Sequence, residues 1–267
     1  MQIQCPSYED RGDLMALWRS SFMDTQEETE AFFDGVFSPG DALVLRQEGK
    51  IVSAVYLLPA ECVFSTGNRP VQYLFAAATL PECRGQGCMA ALLRAAIDYG
   101  TQRGMAGTIL LPASPRLSRY YEKNGFSPVY RAREGVWTRE RLSQLSCSQR
   151  GKTGSFRLPE GSMNWLEDQL SLLYRYQQVF SLRVHRGTAG RFLVETEGEA
   201  VHLADFLPES PALFSELLAC SPAQRFLFRV PVSWDWAGGE IVPSGMAAGP
   251  VAEMITSGSA FLRLPMD

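Results

Sequence analysis

From Tyr73 to Met89 the chain reads Tyr-Leu-Phe-Ala-Ala-Ala-Thr-Leu-Pro-Glu-Cys-Arg-Gly-Gln-Gly-Cys-Met. The first part is apolar and has neither Gly nor Pro before Pro81, the character of a buried strand. Pro81 cannot extend a ladder. Arg84-Gly85-Gln86-Gly87 follows, after which Met89, Leu92, Leu93, Ala96 and Ile97 fall on one face of a helix that closes near Gly104. The order is strand, glycine loop, helix, and it commits this part of the chain to an α/β unit.

That order makes an anion site. The first N–H groups of a helix have no partner within it, and the helix dipole adds partial positive charge there. Gly85 and Gly87 let main chain approach a ligand with no Cβ in the way. Arg84 adds a fixed charge and a bidentate donor. The guest such a loop suits is a phosphate or diphosphate. No Gly-Lys-Ser/Thr follows, so this is not a P-loop. The third glycine of a dinucleotide fingerprint is missing too, with Met89 near its place.

A second segment has the same logic. Residues 107 to 111, Gly-Thr-Ile-Leu-Leu, read as a strand. Ser114 and Pro115 then supply an N-cap and a first helical residue, and Gly125 a stop. In between, a short helix from Arg116 to Asn124 places Leu117 and Tyr121 on one face.

Two stretches carry a family resemblance. Arg-Gly-Gln-Gly-Cys-Met-Ala at 84 to 90 resembles motif A of the GNAT N-acetyltransferases, with Met89 where that family usually has Gly or Ala. Tyr-Tyr-Glu-Lys-Asn-Gly-Phe at 120 to 126 resembles motif B. The resemblance implies a GNAT fold: an α/β (α+β) domain with a mixed, mostly antiparallel sheet flanked by helices. It also implies acetyl-CoA as co-substrate, its diphosphate held by Arg84, Gly85, Gln86, Gly87, Cys88 and Met89. Main-chain amides of Ala77, Ala78 and Thr79 would hold the acetyl carbonyl and pantetheine, and Ser114 would touch the cofactor. Tyr121 maps to the general acid, with Tyr120 as the alternative; a phenol keeps its proton at neutral pH.

The base is less legible. Residues 73 to 79 contain no carboxylate, so deprotonation through water to a helix glutamate such as Glu30 is one expectation. The other comes from a narrower resemblance, to the two-module Eis-like branch, where the C-terminal carboxylate serves; here that would be Asp267.

The rest of the chain fits this frame. Helices are expected at Asp10–Met23 and Thr25–Phe37, a pair that the GNAT resemblance implies overhangs the acceptor site; the second is acidic at Glu27, Glu28 and Glu30, which otherwise reads as a solvated face near a helix start. A hairpin, Ala42–Arg46 and Ile51–Leu58, leads into the central strand. Arg131–Trp137 is expected to close the sheet, followed by a short helix at Arg139–Leu145. The domain reading is 1–145 for the GNAT domain, 146–155 for a polar Ser/Gly/Gln-rich linker, and 156–267 for a second α/β module. In that module helices are expected at Asn164–Tyr176 and Pro211–Leu218, and strands at Phe180–Val184, Gly190–Glu195, Ala200–Phe206 and Arg225–Val230. Leu207-Pro208-Glu209 before Leu213 and Leu217 echoes Leu80-Pro81-Glu82 before Leu92 and Leu93. It points to a degenerate GNAT-like repeat without the diphosphate loop; two unrelated strand-to-helix junctions are the alternative. So is a reduced or sterol-carrier-type second half, as found at the C-terminus of Eis-like proteins.

Charge and cysteine usage bound the function. The 267 residues carry a net charge of -4 and two histidines. That argues against nucleic-acid binding and is compatible with a cationic acceptor. Six cysteines without a Cys-x-x-Cys pair suggest no metal, no disulfide framework and a reducing compartment. No basic start followed by an apolar core opens the chain, and no apolar run approaches the ~20 residues of a membrane span, so a cytoplasmic protein is expected. The expected activity is transfer of acetyl from acetyl-CoA to a primary amine, on a small molecule or a lysine, by direct attack in a ternary complex. The competing reading is a non-catalytic acyl-CoA sensor. Expected partners are acetyl-CoA and the amine acceptor, with self-association left open.

Overall fold

A computed structural model describes residues 1–147, 158–180, 182–206, 211–256 and 258–263. After β1 (Gln2–Gln4) come two helices, α1 (Arg11–Ser21) and α2 (Gln26–Gly35). Thr25 opens α2 with a reciprocal cap: Glu28 N–H donates to its hydroxyl at 3.2 Å, and its own N–H donates to the Glu28 carboxylate at 2.7 Å. α1 buries Leu14, Leu17 and Trp18. The Trp18 ring meets Phe32 at 4.7 Å, Tyr56 at 5.5 Å and Phe75 at 5.7 Å, which pins the helical pair on the sheet.

Strands β2 (Ala42–Gln47), β3 (Lys50–Cys62) and β4 (Arg69–Thr79) form an antiparallel meander. β4 then leads through α3 (Cys88–Gln102) to β5 (Thr108–Leu110), which it pairs in parallel. The crossover demanded by parallel pairing is the helix read from the sequence. Next come α4 (Pro115–Glu122), β6 (Ser127–Thr138) and α5 (Arg139–Cys147). The second half comprises β7 (Met163–Trp165), α6 (Glu167–Gln177), β8 (Arg183–Gly187), β9 (Gly190–Glu197), β10 (Ala200–Asp205), α7 (Ala212–Cys220), β11 (Arg225–Val230), β12 (Glu240–Ala248) and α8 (Pro250–Met254).

Among the described residues one sheet of 12 strands runs β1-β2-β3-β4-β5-β12-β6-β11-β10-β9-β8, with β7 added on β3. The order has a symmetry. β4–α3–β5 and β10–α7–β11 are both parallel units. The strand that follows each unit crosses over to the other: β6 pairs with β11, β12 pairs with β5, and β6 and β12 pair with each other. β6 therefore does not close the sheet, as the sequence suggested; it lies between two strands of the second half. β12 escaped sequence reading because Pro243 and Gly245 punctuate it, and both sit at register shifts. The strand expected at Phe180–Val184 begins instead at Arg183, and Phe180 closes a short 3-10 turn. Leu207-Pro208-Glu209, most of the linker and Asp267 lie outside the described residues. Among those described, no helix is long and apolar enough to cross a membrane.

α1, α2 and α6 cover one face of the first half, and α3 and α4 the other. α5 and α7 pack on the second half around Trp137, Phe214 and Phe226. A buried charge pair ties the end of the chain to the second half. Arg263 donates to both Asp205 oxygens, at 3.0 and 2.8 Å, and to Asn164 at 2.9 Å, while Tyr174 donates to Asp205 at 2.5 Å. Burial pushes the Asp205 carboxyl up, but the charge and hydrogen bonds of Arg263 outweigh it and hold the group below its ordinary value. The stability it supplies is thus present above the ordinary carboxylate range and lost as pH falls through the lower folded value. Asp205→Asn leaves Arg263 buried without its counter-charge, an expected loss of about 3–5 kcal/mol in chemical denaturation at neutral pH. That difference from the unsubstituted chain should shrink on acidification, and an undiminished gap at low pH would contradict the assignment.

Candidate active site

The site forms where two parallel strands part. β4 and β5 pair only at Gln72 with Thr108 and Tyr73 with Ile109. β5 pairs β12 along its other edge throughout, from Thr108 with Ala248 to Leu110 with Met246, and past Tyr73 β4 is left with one unpaired edge. On its other edge β4 bulges: Phe75 faces Tyr56 and Ala78 faces Ala54, so Ala76 and Ala77 stand against Val55. Ala76 has φ of 48°, a left-handed conformation that costs a non-glycine residue roughly 1–3 kcal/mol. The bulge redirects main-chain groups of a buried strand toward the gap. Ser53 secures its far side, donating to Ala78 O at 2.8 Å and sharing a hydrogen bond of 2.8 Å with the Thr79 hydroxyl.

The glycine loop lies at the mouth of this gap. Gly85 and Gly87 have φ of 76° and 79°, and a Cβ built on either meets no protein atom within 4 Å. Backbone conformation, with space kept open beside it, explains both glycines. The first main-chain bond of α3 runs from Ala91 N–H to Gly87 O at 3.0 Å, so the N–H groups of Cys88, Met89 and Ala90 project from the helix end. Arg84 is oriented by its Nε, which donates to Thr79 O at 3.0 Å, and Gln86 folds back to Glu82 O at 2.9 Å. The Cys88 side chain points into the core, where Gln47 donates to its sulfur at 3.4 Å. Only its amide faces the loop. Met89 packs beside the same core. This open-amide cradle with one oriented guanidinium fits a diphosphate.

α4 stands on the opposite lip. Ser114 caps it, its hydroxyl accepting from Leu117 N–H at 3.3 Å, so this side chain is committed to the helix start. Tyr121 is 9% exposed and packs edge-on to Phe126 at 5.7 Å. Burial, then the neighbouring Tyr120, pushes its phenol up to about 12. Among the described residues its hydroxyl has no hydrogen-bond partner, and the side chain lines the cavity. Tyr120 is half-buried and does not line it.

That cavity, about 830 Å³, joins the bulge at Ala76 and Ala77 to Tyr121 and runs under the first helical pair. Trp18 and Phe22 wall it on that side, with Asp24 and Glu28. Both carboxylates also serve the fold: Asp24 accepts from the Trp18 indole at 2.7 Å, and Glu28 closes the cap of α2. Glu28 is therefore half-buried at the cavity and is not the solvated residue its sequence position suggested. Glu30 accepts from Gln26 at 2.7 Å and does not line the cavity. The remaining wall comes from the second half, through Tyr176, Phe180, Leu182 and Glu195. Burial, then Asp24 and Glu28, holds the Tyr176 phenol far above its ordinary value. Nothing in the sequence marked Glu195: it lies within β9, in the second half, and only the fold brings it here.

Residues 6–129 match the family model described as an acetyltransferase (GNAT) domain. Solved structures share the fold at low identity. A GCN5-related N-acetyltransferase from Kribbella flavida superposes with a TM-score of 0.71 at 13% identity, covering 92% of this chain and 70% of that one. Eis1 from Mycobacterium abscessus gives 0.68 at 12%, covering 94% and 74%. A probable N-acyltransferase from Enterococcus faecalis gives 0.65 at 13%, covering 94% and 73%. No curated protein matches the sequence.

Proposed function

We propose that this chain, whose residues 6–129 match the acetyltransferase (GNAT) domain model, passes an acetyl group from acetyl-CoA directly to a primary amine in a ternary complex. One arrangement carries the reading: the bulged edge of β4 and the Tyr121 hydroxyl, which has no partner among the described residues, line one cavity, and the open amides from Gly85 to Ala90 follow directly on the end of that strand. The amides and Arg84 hold the diphosphate. The free edge of β4 at Ala77 and Ala78 lies along the pantetheine and offers main-chain donors to the thioester oxygen as it gains charge.

Acetyl-CoA supplies the activated acyl carbon. A neutral amine from the cavity forms the C–N bond there as the C–S bond breaks. Tyr121 Oη gives its proton to the departing sulfur, and the nitrogen releases one to solvent through cavity water. The developing positive charge on nitrogen lowers the phenol's pKa at the moment its proton is needed. Asp24, Glu28 and Glu195 make the acceptor end acidic, and with the aromatic wall they suit an ammonium-bearing guest.

We also propose the division into 1–145, a linker at 146–155, and a second half at 156–267 that is a degenerate copy without the glycine loop. The mirrored strand order supports it. So does a second bulge, where Leu203 faces Val194 and Asp205 faces Leu193, with Ala204 left over, just past the parallel pairing of β10 with β11.

An amine screen with acetyl-CoA and thiol detection tests the activity; no thiol release with any amine would count against it. Gly87→Ala tests the cradle. The left-handed backbone costs alanine about 1–2 kcal/mol, and the new methyl stands where the diphosphate would press. Coenzyme A binding by calorimetry is expected to weaken about tenfold or more, while the thermal midpoint falls only a few degrees. Unchanged affinity would remove the diphosphate from this loop.

A further inference from the structure

We propose that Glu195, supplied by the second half, binds a second cationic group of an elongated acceptor whose distal part lies in an adjoining cavity. The inference rests on the amine acetylation proposed above. A second cavity of about 790 Å³ lies over the second half of the sheet, among β6, β10, β11 and β12. Gln177, Leu182 and Glu195 line both cavities, so the two share a wall and Glu195 stands at the junction.

Three features single out this carboxylate. Asp24 and Glu28 are held by Trp18 and Thr25, and in the second cavity Glu134 faces Arg229 at 3.6 Å while Glu240 is exposed to solvent. Glu195 is half-buried, and among the described residues it has no hydrogen-bond or ion-pair partner. Its cross-strand neighbour on β10 is His202, which lines the second cavity together with the Arg229 that faces Glu134; a partly desolvated carboxylate without an ion-pair partner of its own is unfavourable until a cation arrives. Tyr176 and Phe180 in the adjoining wall present aromatic surface that favours an alkylammonium.

Chemistry then fixes which nitrogen Glu195 reads. The attacking amine must be neutral at the thioester, beside Tyr121 and the bulge. A carboxylate that grips a cation therefore grips a different amino group. The acceptor carries at least two amines, separated by a chain long enough to reach from the gap to the shared wall. The second cavity, roughly as large again, takes what lies beyond.

The test compares the full-length chain with Glu195→Gln, using spermine and n-butylamine as acceptors at saturating acetyl-CoA. The wild type is expected to favour spermine in kcat/KM by more than about tenfold. Glu195→Gln should collapse that preference toward unity, mainly by raising the spermine KM. Equal losses for both amines, or a loss confined to kcat, would overturn the inference. Calorimetry with spermine alone separates it from the acetyl-transfer reading. If the variant binds spermine as tightly as the wild type, Glu195 reads no cation, whether or not either amine is acetylated. Glu195-dependent spermine binding without transfer to either amine would instead sink the activity and leave the anchoring role standing.

Discussion

Tyr121→Phe is expected to lower kcat about a hundredfold, near 2.7 kcal/mol in transition-state terms, with coenzyme A affinity within about twofold of wild type. The substitution removes one oxygen. The ring stays packed on Phe126, and the hydroxyl it loses has no partner among the described residues, so neither the fold nor the loop at Gly85 and Gly87 should register the change. The pH profile adds a second readout. Burial, and then Tyr120, push the phenol up to about 12, and a group whose folded value is raised keeps its proton until pH climbs past that value. Wild-type kcat should therefore not decline between pH 7 and 10 on account of Tyr121. A falling alkaline limb near pH 9 would mean that another group donates the proton. A chain that only senses acyl-CoA would bind the cofactor equally with either residue and turn over with neither, which separates the two readings in one experiment.

The same residue shows what sequence conveys here. Tyr121, the strand before it and the loop at 84 to 87 were all legible, because each obeys a local rule. A buried strand announces itself by composition, a helix start by its cap, an anion cradle by glycines that positive φ requires. The helices α1, α2, α3 and α4 and the meander were readable for the same reason. Local rules stop where the chain crosses itself. Arg131–Trp137 reads as the last strand of a domain, since nothing nearby in sequence says that β11 and β12 will flank it. Pro243 and Gly245 disguise β12, whose register shifts tolerate both residues. At the candidate site, the glycine loop was visible, while the carboxylates of the cavity wall were not singled out. Asp24 and Glu28 look like ordinary helix-start acids until the cavity is seen, and Glu195 arrives from more than a hundred residues away in sequence. The bulge at Ala76 left no trace either, because small residues in a strand predict tight packing equally well.

The crossing strands carry the second large expectation: residues 1–147 alone should fail to fold cooperatively, even though they hold the cofactor loop, Tyr121 and the whole family match at 6–129. β6 pairs only with β12 and β11 among the described strands, and both lie beyond the cut. Without them its 12 residues have no ladder on either side, and the sheet ends at the three-residue β5. Trp137 loses the Phe228 ring stacked at 4.1 Å and the Ala237 carbonyl that accepts its indole N–H at 2.9 Å. Gly107 and Ala106 lose α8, whose Val251 N–H donates to Ala106 O at 2.7 Å. Phe32 loses Tyr176, 5.7 Å away, so the cavity wall under the first helical pair loosens as well. Several such losses, each worth about 2–5 kcal/mol, exceed the whole ~5–15 kcal/mol stability of a typical domain. The fragment is expected to be insoluble, or soluble with no sigmoidal denaturation transition and no coenzyme A binding. Supplying residues 148–267 as a separate chain should restore solubility and binding, because both crossing strands are then available to pair. A soluble 1–147 fragment that unfolds in one sharp step and binds coenzyme A would show that the first half stands alone and that the interleaved sheet is not required for its stability.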